Sequence, residues 1–319
     1  MSKPEVTLIT PVYNGEISLP ATITSVQNQS STDWRWIIVD DGSTDQTSTL
    51  IAGLDDERIS LIQTPRQGAP ACRNLGLDRA QTDYVMFLDA DDLLTRDCLA
   101  QRLNYVTARE RLDFAVFNTE IIDATGLPQG INLNRRASSP ENYADLFRAY
   151  CAPWQTSSPL WRTEFLHQND FRFSLQYPRL QDIEFHTKIL LSGKANFDYA
   201  EALPADTQYR LPDSTKKKPG KTQLNNMLDG MEQYWRDYHV ADQSRISRDY
   251  AVNTLHTLLF HYELNREMAE ILQNRPHYPG PAGTPLNKVL RRFFLSANVL
   301  GLTRRKGFGI SRLWNYFTG

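Results

Sequence analysis

The chain has 319 residues, 40% hydrophobic and 23% charged, with 35 Lys and Arg against 37 Asp and Glu and a formal net charge of −2. That length allows one large or two small domains of ordinary soluble composition, and that charge speaks for neither nucleic acid nor an acidic substrate. Three widely spaced cysteines, Cys72, Cys98 and Cys151, form no disulfide framework and no zinc spacing.

Reduced thiols favour a cytoplasmic location. The segment Met1-Ser2-Lys3-Pro4-Glu5 does not read as a signal peptide, and no apolar run reaches the length of a membrane span.

Val6-Thr7-Leu8-Ile9-Thr10 is β-branched and apolar, which predicts a buried strand ended by the turn residues Pro11 to Gly15. Leu19, Ile23 and Val26 share one face of a helix over 19–29. Trp34 to Val39 predicts the second strand. It runs into Asp40-Asp41-Gly42-Ser43-Thr44-Asp45, where Ser43 or Thr44 can cap a helix toward Leu54. Ile59 to Gln63 reads as a third strand, Ala71 to Arg79 as a helix and Tyr84 to Leu88 as a fourth strand. Strand and helix alternate through this region, so the fold class is α/β, with a mostly parallel sheet covered on both faces.

The fourth strand opens into Asp89-Ala90-Asp91-Asp92. Three acids in four residues repel one another, and a hard divalent cation such as Mg²⁺ or Mn²⁺ relieves that repulsion. The alternative is a solvated acidic turn capping a helix that starts near Thr95. Acid clusters after Val39 and after Leu88 end two parallel strands on one side of a sheet, so Asp41 and Asp91 are expected to face one ligand.

Pro11-Val12-Tyr13-Asn14, Val39-Asp40-Asp41-Gly42-Ser43-Thr44-Asp45, Ala71-Cys72-Arg73-Asn74 and Phe87-Leu88-Asp89-Ala90-Asp91-Asp92 resemble the family 2 glycosyltransferases, inverting enzymes of the GT-A fold, over roughly residues 5–210. The resemblance implies a nucleotide-sugar donor, with Pro11, Tyr13, Asp41, Arg73 and Asp89 in the donor-binding set. Tyr13 would lie against the nucleobase, and Asp41 would accept a hydrogen bond from it, which fits uracil. Asp89 would reach the ribose or sugar side. Asp91, with Asp92 as second ligand, would hold Mn²⁺ or Mg²⁺ bridging the diphosphate. Arg73 either pairs with phosphate or braces an acid.

Further on, Leu112 to Ile121 predicts a strand, Asp123 to Pro128 a hairpin turn, and residues 129–141 a mobile loop. Tyr143 to Tyr150 predicts a helix. Trp154 either stacks on an acceptor sugar or belongs to the core. Leu180-Gln181-Asp182-Ile183-Glu184-Phe185 resembles the family's acidic motif before a helix, which makes Asp182 the expected catalytic base. Gln181 stands where the family commonly has Glu, so pKa tuning by a neighbouring acid is lost. Tyr209-Arg210 leads into a loop, 211–221, whose Lys216, Lys217, Lys218 and Lys221 suit a diphosphate leaving group or simply solvent.

From Thr222 the pattern is helical, with Met227, Met231, Tyr234 and Trp235 on one face. After Glu270 no acid follows. Leu286, Val289, Leu290 and Phe293, then Ile310, Leu313, Trp314 and Phe317, oppose Lys288, Arg291, Arg292, Arg304, Arg305, Lys306 and Arg312. Such helices suit an anionic membrane surface, or else dock on the protein itself or on a homodimer partner.

The expected organisation is a GT-A domain over 1–221, with a nucleotide-sugar half (1–110) and an acceptor-side half (111–221). A helical extension over 222–275 and a basic amphipathic tail over 276–319 follow. The expected function is inverting transfer from a UDP-sugar to a glycan or lipid-linked acceptor in exopolysaccharide, capsule or lipopolysaccharide synthesis, at the inner face of the membrane. The competing expectation is a sugar-nucleotide-binding scaffold without turnover. A dinucleotide-dependent oxidoreductase is disfavoured, because no G-x-G-x-x-G follows the first strand.

Overall fold

A computed structural model describes residues 6–109, 111–139, 142–211, 220–239 and 245–261. The amphipathic tail expected over 276–319 and the lysines at 216–218 lie outside the described residues.

The chain alternates as its pattern predicts: β1 (Val6–Val12), α1 (Leu19–Gln27), β2 (Trp34–Asp40), α2 (Thr47–Ala52), β3 (Ile59–Gln63), α3 (Ala69–Arg79) and β4 (Tyr84–Phe87). β1 is buried along its whole length, as a strand covered on both faces must be. Leu19, Ile23 and Val26 form the buried stripe of α1, and Pro20 sits in its first turn, where a missing N–H costs nothing. Gly76 lets α3 lie close on β1, since a Cβ there would come within 2.4 Å of Ile9 Cγ2.

Two residues of β5 (Leu93–Leu94) precede α4 (Cys98–Thr107). The helix therefore starts well past Asp92, and the acids do not cap it. The strand expected over 112–121 is two strands, β6 (Phe114–Val116) and β7 (Thr119–Ile122). They belong to different sheets. The hairpin follows as expected, but it returns as β8 (Pro128–Asn132), so the first part of the expected loop is a strand exposed at every residue. Next come α5 (Asn142–Arg148), β9 (Pro159–Arg162), α6 (Thr163–Gln168), α7 (Gln181–Leu191), β10 (Phe197–Tyr199), β11 (Thr207–Arg210), α8 (Lys221–Tyr238) and α9 (Arg245–His261).

Seven strands form one sheet in the order β10-β6-β9-β4-β1-β2-β3. β9 is antiparallel to β4 and β6, and the other pairings are parallel. A second sheet runs β5-β11-β7-β8. Arg102 of α4 is fully buried against this second sheet. Its Nη2 lies 2.6 Å from Asp206 Oδ1 and 2.5 Å from Thr207 Oγ1, and its Nη1 donates to the Ser157 carbonyl at 2.9 Å. A buried ion pair needs this full set of partners to offset its desolvation.

The chain forms two compact units. The first holds Met1–Arg136, Pro153–Leu175 and Glu184–Ser214, and the second holds Ala137–Ala152, Gln176–Ile183 and Thr215–Gly319. The first contains both sheets and a core built on Val6, Leu8, Trp34, Trp36, Met86 and Leu103. The second has its own core of Leu224, Leu228, Met231, Tyr234, Trp235 and Tyr250, with Met227 packed against it. The face read from the sequence of α8 is thus the buried one. His239 stitches this unit: its Nδ1 lies 3.0 Å from Ser247 Oγ, and its Nε2 lies 2.9 Å from the Arg148 carbonyl. Cys72 and Cys98 are buried thiols outside any disulfide. Among the described residues no helix is long and apolar enough to cross a membrane.

Candidate functional site

β1 lies between β2 and β4, and all three run parallel. Asp41 and Asp89 therefore leave the sheet on the same side, two strand spacings or about 10 Å apart at the level of the sheet. This edge gathers the first unit's acids.

Asp89 is held by Arg73. The Arg73 Nη2 lies 2.6 Å from Asp89 Oδ1, with the arginine buried and the acid one-third exposed. That contact is the bracing one of the two roles expected for Arg73. Its Nε and Nη1 remain buried without hydrogen-bond partners. The Phe173 ring lies 5.2 Å from its guanidinium carbon.

Asp92 is 1% exposed. Ser157 Oγ donates to its Oδ2 at 3.0 Å, while Oδ1 is buried without a partner. Burial, then the charges of Asp89 and Asp91, push its carboxyl well above the usual range, against the opposing Ser157 hydroxyl and Arg210 backbone. Asp91 is exposed at the mouth of the cluster. Partial desolvation, then Asp89, raise its carboxyl as well, and the Arg210 charge opposes the rise. Arg210 anchors the rim, its Nε donating to the Asp91 carbonyl at 3.3 Å and its Nη1 to the Ala124 carbonyl at 3.2 Å.

Among the described residues no set of three or more His, Cys, Asp or Glu is arranged to hold a metal ion. Mg²⁺, however, takes one or two carboxylates and completes its shell with water and substrate phosphate. A buried carboxylate oxygen without a donor, on an acid whose pKa burial and the charges of Asp89 and Asp91 push up, is the environment such a cation relieves. Asp91 and Asp92 fit that ion as a two-carboxylate site.

Asp41 is 3% exposed. Its Oδ1 accepts from the Gln67 amide at 2.7 Å and its Oδ2 from the Gly68 amide at 3.0 Å. Gly68 has φ +95°, so a side chain there would be strained. Beside it, burial and then Asp41 push the Cys72 thiol up to about 12, which keeps it protonated.

Pro11 is buried within β1. Tyr13, just past its end, is 41% exposed. Asn14, at φ 51°, ties this loop to the β2 acids: its amide donates to Ser43 Oγ at 2.9 Å, and its Oδ1 accepts from the Thr44 amide at 2.9 Å. The Arg66 guanidinium lies 3.3 Å from the centre of the Tyr13 ring.

Asp182 is the second residue of α7, half-buried, and belongs to the second unit. Trp154 is 2% exposed. It stands edge-on to His186 at 5.9 Å and close to Phe114 and Phe197. That is the core position of its two readings, with no open ring face for a sugar. Glu184 is buried and paired with Lys188 Nζ at 3.1 Å, a supporting contact within the helix.

Sequence reasoning missed Ser157 and Arg66. Ser157 lies 65 residues from its partner Asp92 and carries no motif of its own. Arg66 is a lone cation in a loop, and only the fold shows that it covers Tyr13.

Residues 7–152 match the family described as Glycosyl transferase family 2. An uncharacterized glycosyltransferase of Haemophilus influenzae is 43% identical over 109 residues, 33% of this chain and 44% of that protein. The putative teichuronic acid biosynthesis glycosyltransferase TuaG of Bacillus subtilis is 38% identical over 41% of this chain and 53% of its own length. The UDP-Glc:alpha-D-GlcNAc-diphosphoundecaprenol beta-1,3-glucosyltransferase WfgD of Escherichia coli is 31% identical over 41% and 54%. These matches span about half the length of the curated relatives. The crystal structure of S. aureus TarS 1-349 with UDP-GlcNAc superposes with a TM-score of 0.61 at 18% identity, covering 94% of this chain and 89% of that one. The likeness establishes the GT-A fold.

Proposed function

We propose that this chain, whose residues 7–152 match Glycosyl transferase family 2, moves a sugar from a nucleotide diphosphate-sugar to an acceptor hydroxyl with inversion at the anomeric carbon. The observation that carries this reading is Asp92, buried with one carboxylate oxygen unpartnered beside Asp91 and Asp89. A donor of UDP type is supported by the names of WfgD and of the TarS complex. A glycan or lipid-linked acceptor, in exopolysaccharide, capsule or lipopolysaccharide synthesis, is supported by the relatives named for undecaprenol-linked substrates.

In this mechanism Tyr13, with Arg66 on its face, flanks the base, and Asp41 accepts from it. Asp89, oriented by Arg73, meets the ribose or sugar. Asp91 and Asp92 would hold Mn²⁺ or Mg²⁺, which when bound would supply Lewis-acid neutralisation of the departing diphosphate. Asp182 takes the proton of the acceptor hydroxyl as that oxygen attacks opposite the leaving group. Attack from the far face inverts the centre without a covalent enzyme intermediate, so no nucleophilic Ser or Cys is needed.

The test is a thermal-shift panel of nucleoside diphosphates with and without Mn²⁺, followed by transfer from the best-matched donor. A ligand specific to the folded state raises the midpoint. No shift with any diphosphate, and no transfer, overturns the reading. Peripheral attachment to the cytoplasmic face rests on the basic, apolar-faced sequence of 285–319. Equal flotation on anionic liposomes with and without those residues removes it.

A further inference from the structure

A second recess lies at the β10 edge of the seven-stranded sheet, a cavity of about 760 Å³ between α4 and the segment that follows β10. In the strand order β10-β6-β9-β4, three strand spacings separate it from the strand that carries Asp89, about 14 Å. Its lining includes Gln101, Asn104, Tyr105, Arg109, Tyr199 and Glu201.

The charges of this recess are cancelled on its own walls. Arg109 Nε lies 3.4 Å from Asp198 Oδ2, and its guanidinium covers the Tyr105 ring at 3.5 Å. Glu201 Oε1 lies 2.6 Å from Arg136 Nη1. The Tyr105 hydroxyl donates to Asp198 Oδ2 at 2.7 Å. Burial and that hydrogen bond push the phenol up to about 12, so it stays a neutral donor.

The capacity that remains is in two amides. Gln101 and Asn104 lie three residues apart on one face of α4, and their side chains make no hydrogen bond within the described protein. Each amide offers both donors and an acceptor. An anion would find no unpaired cation here, and an apolar ligand would strand both amides. A neutral polyol satisfies them in both directions. The volume lies within the range of ligand sites.

We propose that this recess is a second saccharide-binding site, which takes a neutral oligosaccharide segment away from the donor cluster. Its ligand class rests on the glycosyltransferase reading. Its readout is binding alone and needs no turnover.

The experiment titrates the full chain with the neutral maltotetraose, cellotetraose and tetra-N-acetylchitotetraose, and with tetragalacturonate for comparison, alongside the double variant Gln101→Ala/Asn104→Ala. Both positions lie at least partly in solvent on a helix, where alanine preserves folding. Binding of one tetrasaccharide by the parent, weakened at least tenfold in the variant, supports the site. No binding by any of the three at about 5 mM, equal binding by the variant, or preference for the anionic tetragalacturonate overturns it. UDP is titrated into both proteins as a control. A parent that binds glycan and not UDP defeats the donor-site reading and leaves the recess standing. A parent that binds UDP and no glycan does the reverse.

Discussion

Arg73 Nη2 and Asp89 Oδ1 lie 2.6 Å apart, and this pair holds an acid at the C-terminal edge of β4 that its neighbours Asp91 and Asp92 repel. The arginine is buried, and two of its nitrogens have no partner. Among the described residues its hydrogen-bonded partner is Asp89.

Replacing it by methionine keeps most of the stem and removes the charge. Charged hydrogen bonds are worth roughly 1.5–3 kcal/mol, so Arg73→Met is expected to weaken UDP-sugar binding between about tenfold and a hundredfold. Calorimetric titration of UDP-sugar with Mn²⁺ measures it. Unchanged affinity removes Arg73 from the donor set.

Asp92→Asn tests the acid cluster by pH. The folded chain raises this carboxyl from the ordinary 3.8, so the native state binds the proton more tightly than the unfolded one. Stability then falls as pH climbs through that window. The variant keeps the Ser157 contact and removes the buried charge. Its midpoint without divalent ion is expected to exceed the parent's by roughly 2–4 °C per kcal/mol relieved, with the gap widening as pH rises above the ordinary carboxylate value of 3.8. Mn²⁺ should raise the parent's midpoint and leave the variant's unmoved. A variant less stable than the parent at every pH defeats this account.

Asp182→Asn is expected to keep UDP affinity while kcat drops by about 10²–10⁴, the usual worth of a positioned base. Full turnover in that variant takes the base role away from Asp182.

The α/β class and the acid-bearing strand ends could be read from the sequence because they depend on local pattern. Ile59, Leu61 and Ile62 make Ile59–Gln63 a short strand pattern, and β3 spans those same residues. Leu19, Ile23 and Val26 are buried as their spacing predicts. The partners of the acids were not legible. Ser157 under Asp92 and Arg66 over Tyr13 are tertiary contacts between segments with no shared period. The strand pattern at 112–121 concealed a change of sheet, since periodicity marks which residues are apolar and not which neighbours they choose. Trp154 illustrates the same limit, for an aromatic beside a motif has the same composition in a core as in a sugar platform.

Arg102 carries a prediction about stability rather than activity. Removing one partner of a buried pair typically costs about 3–5 kcal/mol, and Arg102 also serves Thr207 and the Ser157 carbonyl. Arg102→Ala should lower the urea midpoint sharply. The double variant Arg102→Met/Asp206→Leu should recover much of the loss. Equal loss in both variants shows that the remaining contacts, not the ion pair, hold α4 in place.

The passage from β6 to β7 crosses from one sheet to the other within two residues, Phe117 and Asn118. Asn118 Oδ1 accepts from both Tyr199 and Asn132, one on β10 of the large sheet and one on β8 of the small. An amino acid inserted at this junction would reverse the inward and outward sides of everything downstream in that ribbon. The same insertion at the Gly126 tip would only lengthen a hairpin. The chain's tolerance of length polymorphism should therefore be lowest at 117–118 and highest some eight residues later, a contrast readable from a library of single-residue duplications.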